Sequence, residues 1–321
     1  MKILITGGAG FIGSNLVRTL HEGSLLSADE LVVIDNLSLG RREFIADLID
    51  DSRLFFYEQD LLDAESLHAV FDKHRPDLVW HLSANSDIGY GAKFTDWDLK
   101  QGTLATYNVL EAMRRVGTKK VVFASTSAIY GEATVLPTPE DYGPLFPISL
   151  YGASKLACEG LISSFCHNFG FQAWIYRFGN IVGKNGTHGA LVDFIGKLKK
   201  SPNRLPVLGN GKQAKPYLHV SDCIEGMVFG FQHANEQVNY FNLACPGATS
   251  VTALAEAVVE AFGTDTQIEY SGGTRGWVGD VPQVRLDTSR MTSLGWQARY
   301  SSDQAAAKAV EELMEQMAPG V

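Results

Sequence analysis

Short apolar runs alternate with longer amphipathic stretches through the first half of the chain. Lys2-Ile3-Leu4-Ile5-Thr6 is apolar and β-rich, and after a cluster of glycines an amphipathic helix is predicted through about Leu20. Further strands are predicted at 30–34, 54–57, 78–82, 120–124 and 172–177, with helices at 64–74, 103–116 and 151–169 between them. Brief apolar runs bounded by turn residues and separated by helical periodicity read as buried strands of a parallel sheet covered on both faces. That predicts a doubly wound α/β lobe over residues 1–177. From Phe178 the alternation breaks down. Loops at 183–189, 209–211 and 271–279 separate helices at 191–200, 251–262 and 304–317, which predicts a smaller α+β lobe over 178–321. A segment near 215–242 is expected to return to the first lobe.

Composition narrows the classes. A chain of 321 residues with 45% apolar and 20% charged residues has the makeup of a soluble globular protein with a sizeable core. A formal net charge of -9 disfavours a nucleic-acid surface, which would normally be basic. No apolar run approaches the length of a membrane span, and Met1-Lys2 leads straight into the first strand, so neither a membrane nor a secretory leader is expected. Cys158, Cys166, Cys223 and Cys245 show no metal-ligand spacing and read as small buried residues of a reducing, cytoplasmic compartment. No metal site is expected.

The chemistry gathers in two places. Gly7, Gly10 and Gly13 lie between the first strand and the first helix, the context in which a backbone approaches a pyrophosphate. Phe11 and Ile12 then supply N–H groups at the helix start. The second strand ends in Asp35, about twenty residues past the last glycine, where a carboxylate holds the adenosine ribose. Its charge repels a 2′-phosphate, so the expected cofactor is NAD; Arg41 and Arg42 read as a solvated turn. The second place is Tyr151-Gly152-Ala153-Ser154-Lys155, whose four-residue spacing puts phenol and ammonium on one helical face. A free tyrosine titrates near 10, so a base at neutral pH needs a drop of roughly three units, about 4 kcal/mol. One cation at about 5 Å and an effective dielectric of about 20 supplies roughly 3 kcal/mol, which leads to the expectation that Lys155 together with a positively charged nicotinamide ring lowers the Tyr151 pKa far enough.

Taken together, the stretch from Thr6 to Gly13, Asp35-Asn36-Leu37, Asp60-Leu61, His81-Leu82-Ser83-Ala84, Asn108 to Ala112, Ser125 to Gly131, Tyr151 to Lys155 and Arg177 to Gly183 resembles the extended short-chain dehydrogenase/reductase superfamily, in its nucleotide-sugar epimerase/dehydratase branch. The resemblance covers nearly the whole chain and implies a Rossmann-type first lobe that binds NAD. It assigns cofactor contacts to Asn36, Asp60, Leu61, Leu82, Ser83, Ala84 and Ser125 besides the glycine loop and Asp35. It makes Tyr151 the catalytic base and Lys155 the residue on the nicotinamide ribose. Thr126, aligned through Tyr130-Gly131, bonds the reacting sugar hydroxyl. Ser86, Asn180, Lys215, Arg275 and Asp280 are implied on the UDP-sugar, Lys215 standing where many relatives have an arginine. His81 and His219 read as structural.

Two positions separate the branch's reactions. Sugar dehydratases that resemble this stretch carry Asp-Glu after the threonine, and UDP-glucuronate decarboxylases a glutamate at the second position. Here they are Ser127 and Ala128, and neither moves the additional proton that such reactions need. The resemblance therefore points to a 4-epimerase of the UDP-glucose/UDP-galactose type, forming a homodimer through the helices before Lys119 and after Tyr151. Open beside it stand the same chemistry on UDP-glucuronate or an N-acetylated UDP-hexose, a nucleotide-sugar reductase, and a non-catalytic dinucleotide sensor.

Overall fold

The protein is described by a computed structural model, which covers residues 1–276 and 281–317. In chain order the first part runs β1 (Lys2–Thr6), α1 (Phe11–Glu22), β2 (Glu30–Asp35), β3 (Leu54–Glu58), α2 (Ala64–His74), β4 (Leu78–His81) and the short α3 (Ile88–Lys93). A π-helical turn, Leu99–Leu104, leads into α4 (Ala105–Val116), followed by β5 (Lys120–Thr126), a 3-10 turn (Ser127–Tyr130), α5 (Leu150–Phe169) and β6 (Gln172–Phe178). Then come β7 (Asn180–Val182), α6 (Ala190–Lys200), β8 (Arg204–Val207), β9 (Ala214–Lys215), β10 (Tyr217–His219), α7 (Val220–His233) and β11 (Val238–Leu243). The chain continues with β12 (Thr249–Ser250), α8 (Val251–Phe262), β13 (Gln267–Tyr270), α9 (Ser289–Leu294) and α10 (Ser302–Gln316).

Seven strands form the central sheet in the order β11-β6-β5-β4-β1-β2-β3. The pairs β3–β2, β2–β1, β1–β4 and β4–β5 are parallel, with Thr6 opposite Ile34 on one side and His81 on the other. The order reverses between β1 and β4, so their carboxyl ends open a crevice of the kind in which doubly wound sheets bind ligands. Leu4, Val32, Val79, Val121 and Phe123 of the sheet bury against Phe71 of α2, Met113 of α4 and Ile162 of α5. This is the expected doubly wound α/β architecture. Among the described residues no helix is long and apolar enough to cross a membrane. The four cysteines are free thiols, all buried.

The chain divides into two compact units. The first comprises Met1–Gly131, Gly143–Arg177 and Met227–Phe241; the second comprises Glu132–Tyr142, Phe178–Gly226 and Asn242–Val321. The second unit has its own core, in which Phe194 and Leu198 of α6, Leu205 of β8, Leu254 and Val258 of α8, and Val310 and Leu313 of α10 meet. Residues 132–142 pack there, away from the lobe their sequence position suggests. Thr138 N–H donates to the Arg285 carbonyl at 2.9 Å, and the Asn242 N–H donates to the Glu140 carboxylate at 3.0 Å.

Candidate active site

The glycine loop owes its shape to contacts that only a missing Cβ permits. Gly7 adopts φ 70°, and Gly10 N–H returns to the Gly7 carbonyl at 3.1 Å. A Cβ on Gly13 would lie 2.0 Å from that same carbonyl oxygen. The loop delivers the chain into α1 with Gly10 at its N-cap, no side-chain cap and no acid in the first turn. A helix start so prepared presents N–H groups and a partial positive charge to an anion.

Asp35 closes β2 beside it. Its Oδ2 accepts from Ala9 N–H and its Oδ1 from Leu37 N–H, both at 2.9 Å. Burial pushes the carboxyl up, while these backbone donors hold it down. Asn36 Nδ2 and Gln101 Nε2 both donate to Asp60 Oδ2, at 3.1 and 3.0 Å, and Asn108 Nδ2 donates to the Leu61 carbonyl at 2.9 Å. Across the crevice Leu82 N–H donates to the Thr6 carbonyl at 3.2 Å, and Ser83 N–H to Thr6 Oγ1 at 3.3 Å. Leu82, Ser83, Ala84 and Ser86 are half-buried, as are Phe11 and Ile12. A bare helix start, a glycine cradle a Cβ would fill and a carboxylate at the second strand end fit an adenine dinucleotide without a 2′-phosphate.

The second cluster forms where α5 meets the end of β5. Ser149 caps α5 by accepting from Gly152 N–H at 3.1 Å, and a Cβ on Gly152 would stand 2.6 Å from the Ala128 carbonyl oxygen. That close approach brings the Tyr151 phenol into hydrogen-bonding contact with the Thr126 hydroxyl. Thr126 Oγ1 also accepts from Ala128 N–H at 3.1 Å, which fixes its rotamer. Lys155 is buried one turn along α5, where its Nζ donates to the Ala124 carbonyl at 2.6 Å and sits 4.6 Å from the Phe123 ring centroid.

Here the expectation about the pair needs correction. The Tyr151 phenol is pushed up to about 12 by burial, with the Asp98 charge adding to it and the Thr126 hydrogen bond opposing. Lys155 is itself drawn down to about 8 by burial. Loss of water on burial is the leading cause for both groups, and the Lys155 ammonium donates to a backbone carbonyl and not to the phenol. His81 bonds Thr6 Oγ1 and Thr106 Oγ1 at 2.7 and 2.9 Å, and burial with the neighbouring Lys155 brings it to about 3, so it stays neutral.

Ser125 has a different partner on α5. Strand alternation sends Thr126 and Ser125 to opposite faces, and the Ser125 hydroxyl donates to Glu159 Oε1. Glu159 in turn pairs with Arg177 at 2.7 Å, and Arg177 Nη1 donates to the Tyr130 hydroxyl at 3.0 Å. The Ser125 side chain is thereby held on Glu159, two turns along α5 from Tyr151.

The remaining candidates lie in the second unit on separate elements. Asn180 opens β7, its N–H donating to the Pro216 carbonyl at 3.1 Å, and Lys215 lies on β9, paired with β12. Both are half-buried. Arg275 is exposed and ion-paired with Glu132. Asp280 lies outside the described residues. Sequence reasoning passed over Asp98 and Asn85: the Asp98 carboxylate is buried, and its Oδ1 accepts from Asn85 Nδ2 at 2.9 Å. Neither sits in a glycine-rich or evenly spaced pattern that would have marked it.

Comparison with known proteins agrees with this geometry. The model of the NAD dependent epimerase/dehydratase family matches residues 3–244. A solved UDP-galactose 4-epimerase is similar over 99% of this chain and 100% of its own, at 35% identity and a TM-score of 0.86. A putative UDP-glucose 4-epimerase of Methanocaldococcus jannaschii is 30% identical over 300 residues, 92% of each chain. UDP-arabinose 4-epimerase 1 of Arabidopsis thaliana is 28% identical, over 94% of this chain and 76% of its own.

Proposed function

The chain belongs to the NAD dependent epimerase/dehydratase family, and we propose that it is a UDP-sugar 4-epimerase interconverting UDP-glucose and UDP-galactose. The observation that carries this reading is the Thr126–Tyr151 contact with Lys155 one turn behind it. Redox at one carbon needs a group that takes a hydroxyl proton and one that orients the hydroxyl, and Tyr151 and Thr126 are that pair. Loss of water from the sugar would need a further acid and base, and the 3-10 turn after Thr126 begins with Ser127 and Ala128. NAD held there would supply a hydride acceptor and donor for C4 and a positive charge that favours the phenolate. Gly7, Gly10, Phe11, Ile12 and Gly13 would hold its pyrophosphate, Asp35 its adenosine ribose, and Lys155 its nicotinamide ribose.

Tyr151 then carries the proton of the C4 hydroxyl in both directions, while Thr126 Oγ1 fixes the oxygen. Asn180, Lys215, Arg275 and Asp280 take the UDP moiety, and Arg275 does so by releasing Glu132. Leu104 at the end of the π-helical turn, Tyr107 on α4 and Leu150 and Phe169 on α5 are exposed. These apolar side chains support a homodimer through those two helices in a cytoplasmic enzyme.

The substrate is tested with purified protein and no added cofactor. UDP-galactose and UDP-glucuronate are supplied separately and the products resolved by anion exchange. The expected result is UDP-glucose from UDP-galactose. Turnover of UDP-glucuronate alone would keep the chemistry and move the sugar, and inertness toward both, with NAD supplied, would overturn the reading.

A further inference from the structure

Glu159 and Arg177 form an ion pair in the interior of the first unit, 8% and 7% exposed. The guanidinium grips the carboxylate as a fork: Nη2 donates to Oε2 at 2.7 Å, and Nε lies 3.1 Å from Oε1 and 3.3 Å from Oε2. It also lies over the rings of Tyr130 and Tyr240, 5.3 and 5.4 Å from their centroids. Taking both charges out of water carries a penalty that can exceed their attraction, and apolar residues of similar volume often hold a core as well. Stability alone is a weak reason for such a pair.

A better one is what the fork holds, for it reaches both ends of the turn that carries Thr126. Glu159 Oε1 accepts from the Ser125 hydroxyl, and Ser125 is the residue before Thr126 in β5. Arg177 Nη1 donates to the Tyr130 hydroxyl at 3.0 Å, and Tyr130 closes the 3-10 turn that Thr126 caps. Within that turn Ala128 N–H donates to Thr126 Oγ1 at 3.1 Å. The Ala128 carbonyl faces Gly152, the neighbour of Tyr151, where a Cβ would stand 2.6 Å from its oxygen. One buried fork thus clamps the turn at its start and its end, while its middle bears on α5.

The clamp is rooted in the helix of Tyr151 itself. Tyr151, Lys155 and Glu159 recur at four-residue spacing along α5, which places them on one face. All three meet the end of β5: Lys155 at the Ala124 carbonyl, Glu159 at the Ser125 hydroxyl and Tyr151 at the Thr126 hydroxyl. Three consecutive strand residues are therefore tied to three successive turns of the helix. The Tyr151–Thr126 tie is the one the proposed reaction has to open to admit a sugar hydroxyl. Glu159 is fixed independently of that step, because Arg177 anchors it from β6.

We propose that Glu159 and Arg177 are positioning residues of the active site: their fork fixes the end of β5 and the turn after it, and so holds the Thr126 hydroxyl on the Tyr151 phenol. The role rests on the epimerase reading for its effect on turnover, but the structural arm of its test does not. Full-length protein carrying Glu159→Met and Arg177→Met together loses both charges and keeps an apolar filling. It is expected to melt within about 5 °C of wild type. Its crystal structure is expected to show the Thr126 and Tyr151 hydroxyls more than about 3.5 Å apart. For the sugar that wild type turns over, kcat is expected to fall about 100-fold, with KM and bound NAD within about twofold of wild type. A pair that serves stability alone would leave the Thr126–Tyr151 contact and kcat as they are in wild type, and that result overturns the proposal. Should the double variant not fold, Ser125→Ala and Tyr130→Phe each remove one bond from the fork and keep the ion pair. Each is expected to lower kcat about tenfold at unchanged KM, the equivalent of one hydrogen bond, and Ser125→Thr to recover the loss by restoring the hydroxyl. Unchanged kcat in both, or a loss that Ser125→Thr does not recover, overturns the proposal equally. If wild type turns over no sugar, the crystal structures still decide the positioning role, so failure here is distinct from failure of the epimerase assignment.

Discussion

Tyr151→Phe is expected to lower kcat roughly 100- to 10,000-fold while leaving the protein folded and able to bind NAD. The phenyl ring fills the same space at the start of α5. What disappears is one hydroxyl, and with it the hydrogen bond to Thr126. That bond is worth about 1 kcal/mol of stability, too little to unfold the first unit. Catalytically the expected loss is of another order, because among the described residues Lys155 is turned to the Ala124 carbonyl and Ser127 opens the following turn, which leaves Tyr151 as the group on Thr126 proposed to take the C4 hydroxyl proton. Steady-state kinetics beside a melting curve and a count of bound NAD check this. Residual activity above a few per cent of wild type would remove Tyr151 from its role.

Gly13→Ala is expected to be a severely damaging single methyl group. The new carbon would stand 2.0 Å from the Gly7 carbonyl oxygen and 2.7 Å from Gly8 Cα. Both are backbone atoms, so no side chain can rotate away, and either α1 or the loop must shift. Overpacking of this kind costs about 1–3 kcal/mol. The functional cost is larger, because the N–H groups at the start of α1 move relative to the Asp35 carboxylate. A displacement of about 1 Å at a binding site can cost on the order of 100-fold, and a loss of that size in NAD affinity is expected. Titration of nucleotide-free protein with NAD by tryptophan fluorescence measures it. Unchanged affinity would show that the glycine loop does not hold the pyrophosphate.

The two places where the chemistry gathers were legible because each is set by local rules. Strand, glycines, helix and a distal Asp35 follow from backbone geometry and spacing, and Tyr151 and Lys155 fall on one face by helical period. What the sequence concealed depends on contacts between distant segments. The π-turn arises where Ser154 reaches the Asp98 carbonyl across 56 positions of chain. Arg275 finds its partner in Glu132, 143 residues earlier, because residues 132–142 pack in the second unit. The pKa of Tyr151 was misjudged for an energetic reason. A pairwise Coulomb estimate at 5 Å leaves out the desolvation that both partners suffer on burial, and here that loss is the larger effect.

In the proposed reaction hydride leaves and returns to the same carbon without exchange with water. UDP-galactose bearing deuterium at C4 is incubated with the enzyme in ordinary water, and the UDP-glucose formed is analysed by mass spectrometry and NMR. Deuterium retained at C4 of the inverted sugar is the predicted result. Its loss to solvent, or inversion without transfer of the label, would contradict the mechanism assigned to Tyr151, Thr126 and the bound NAD.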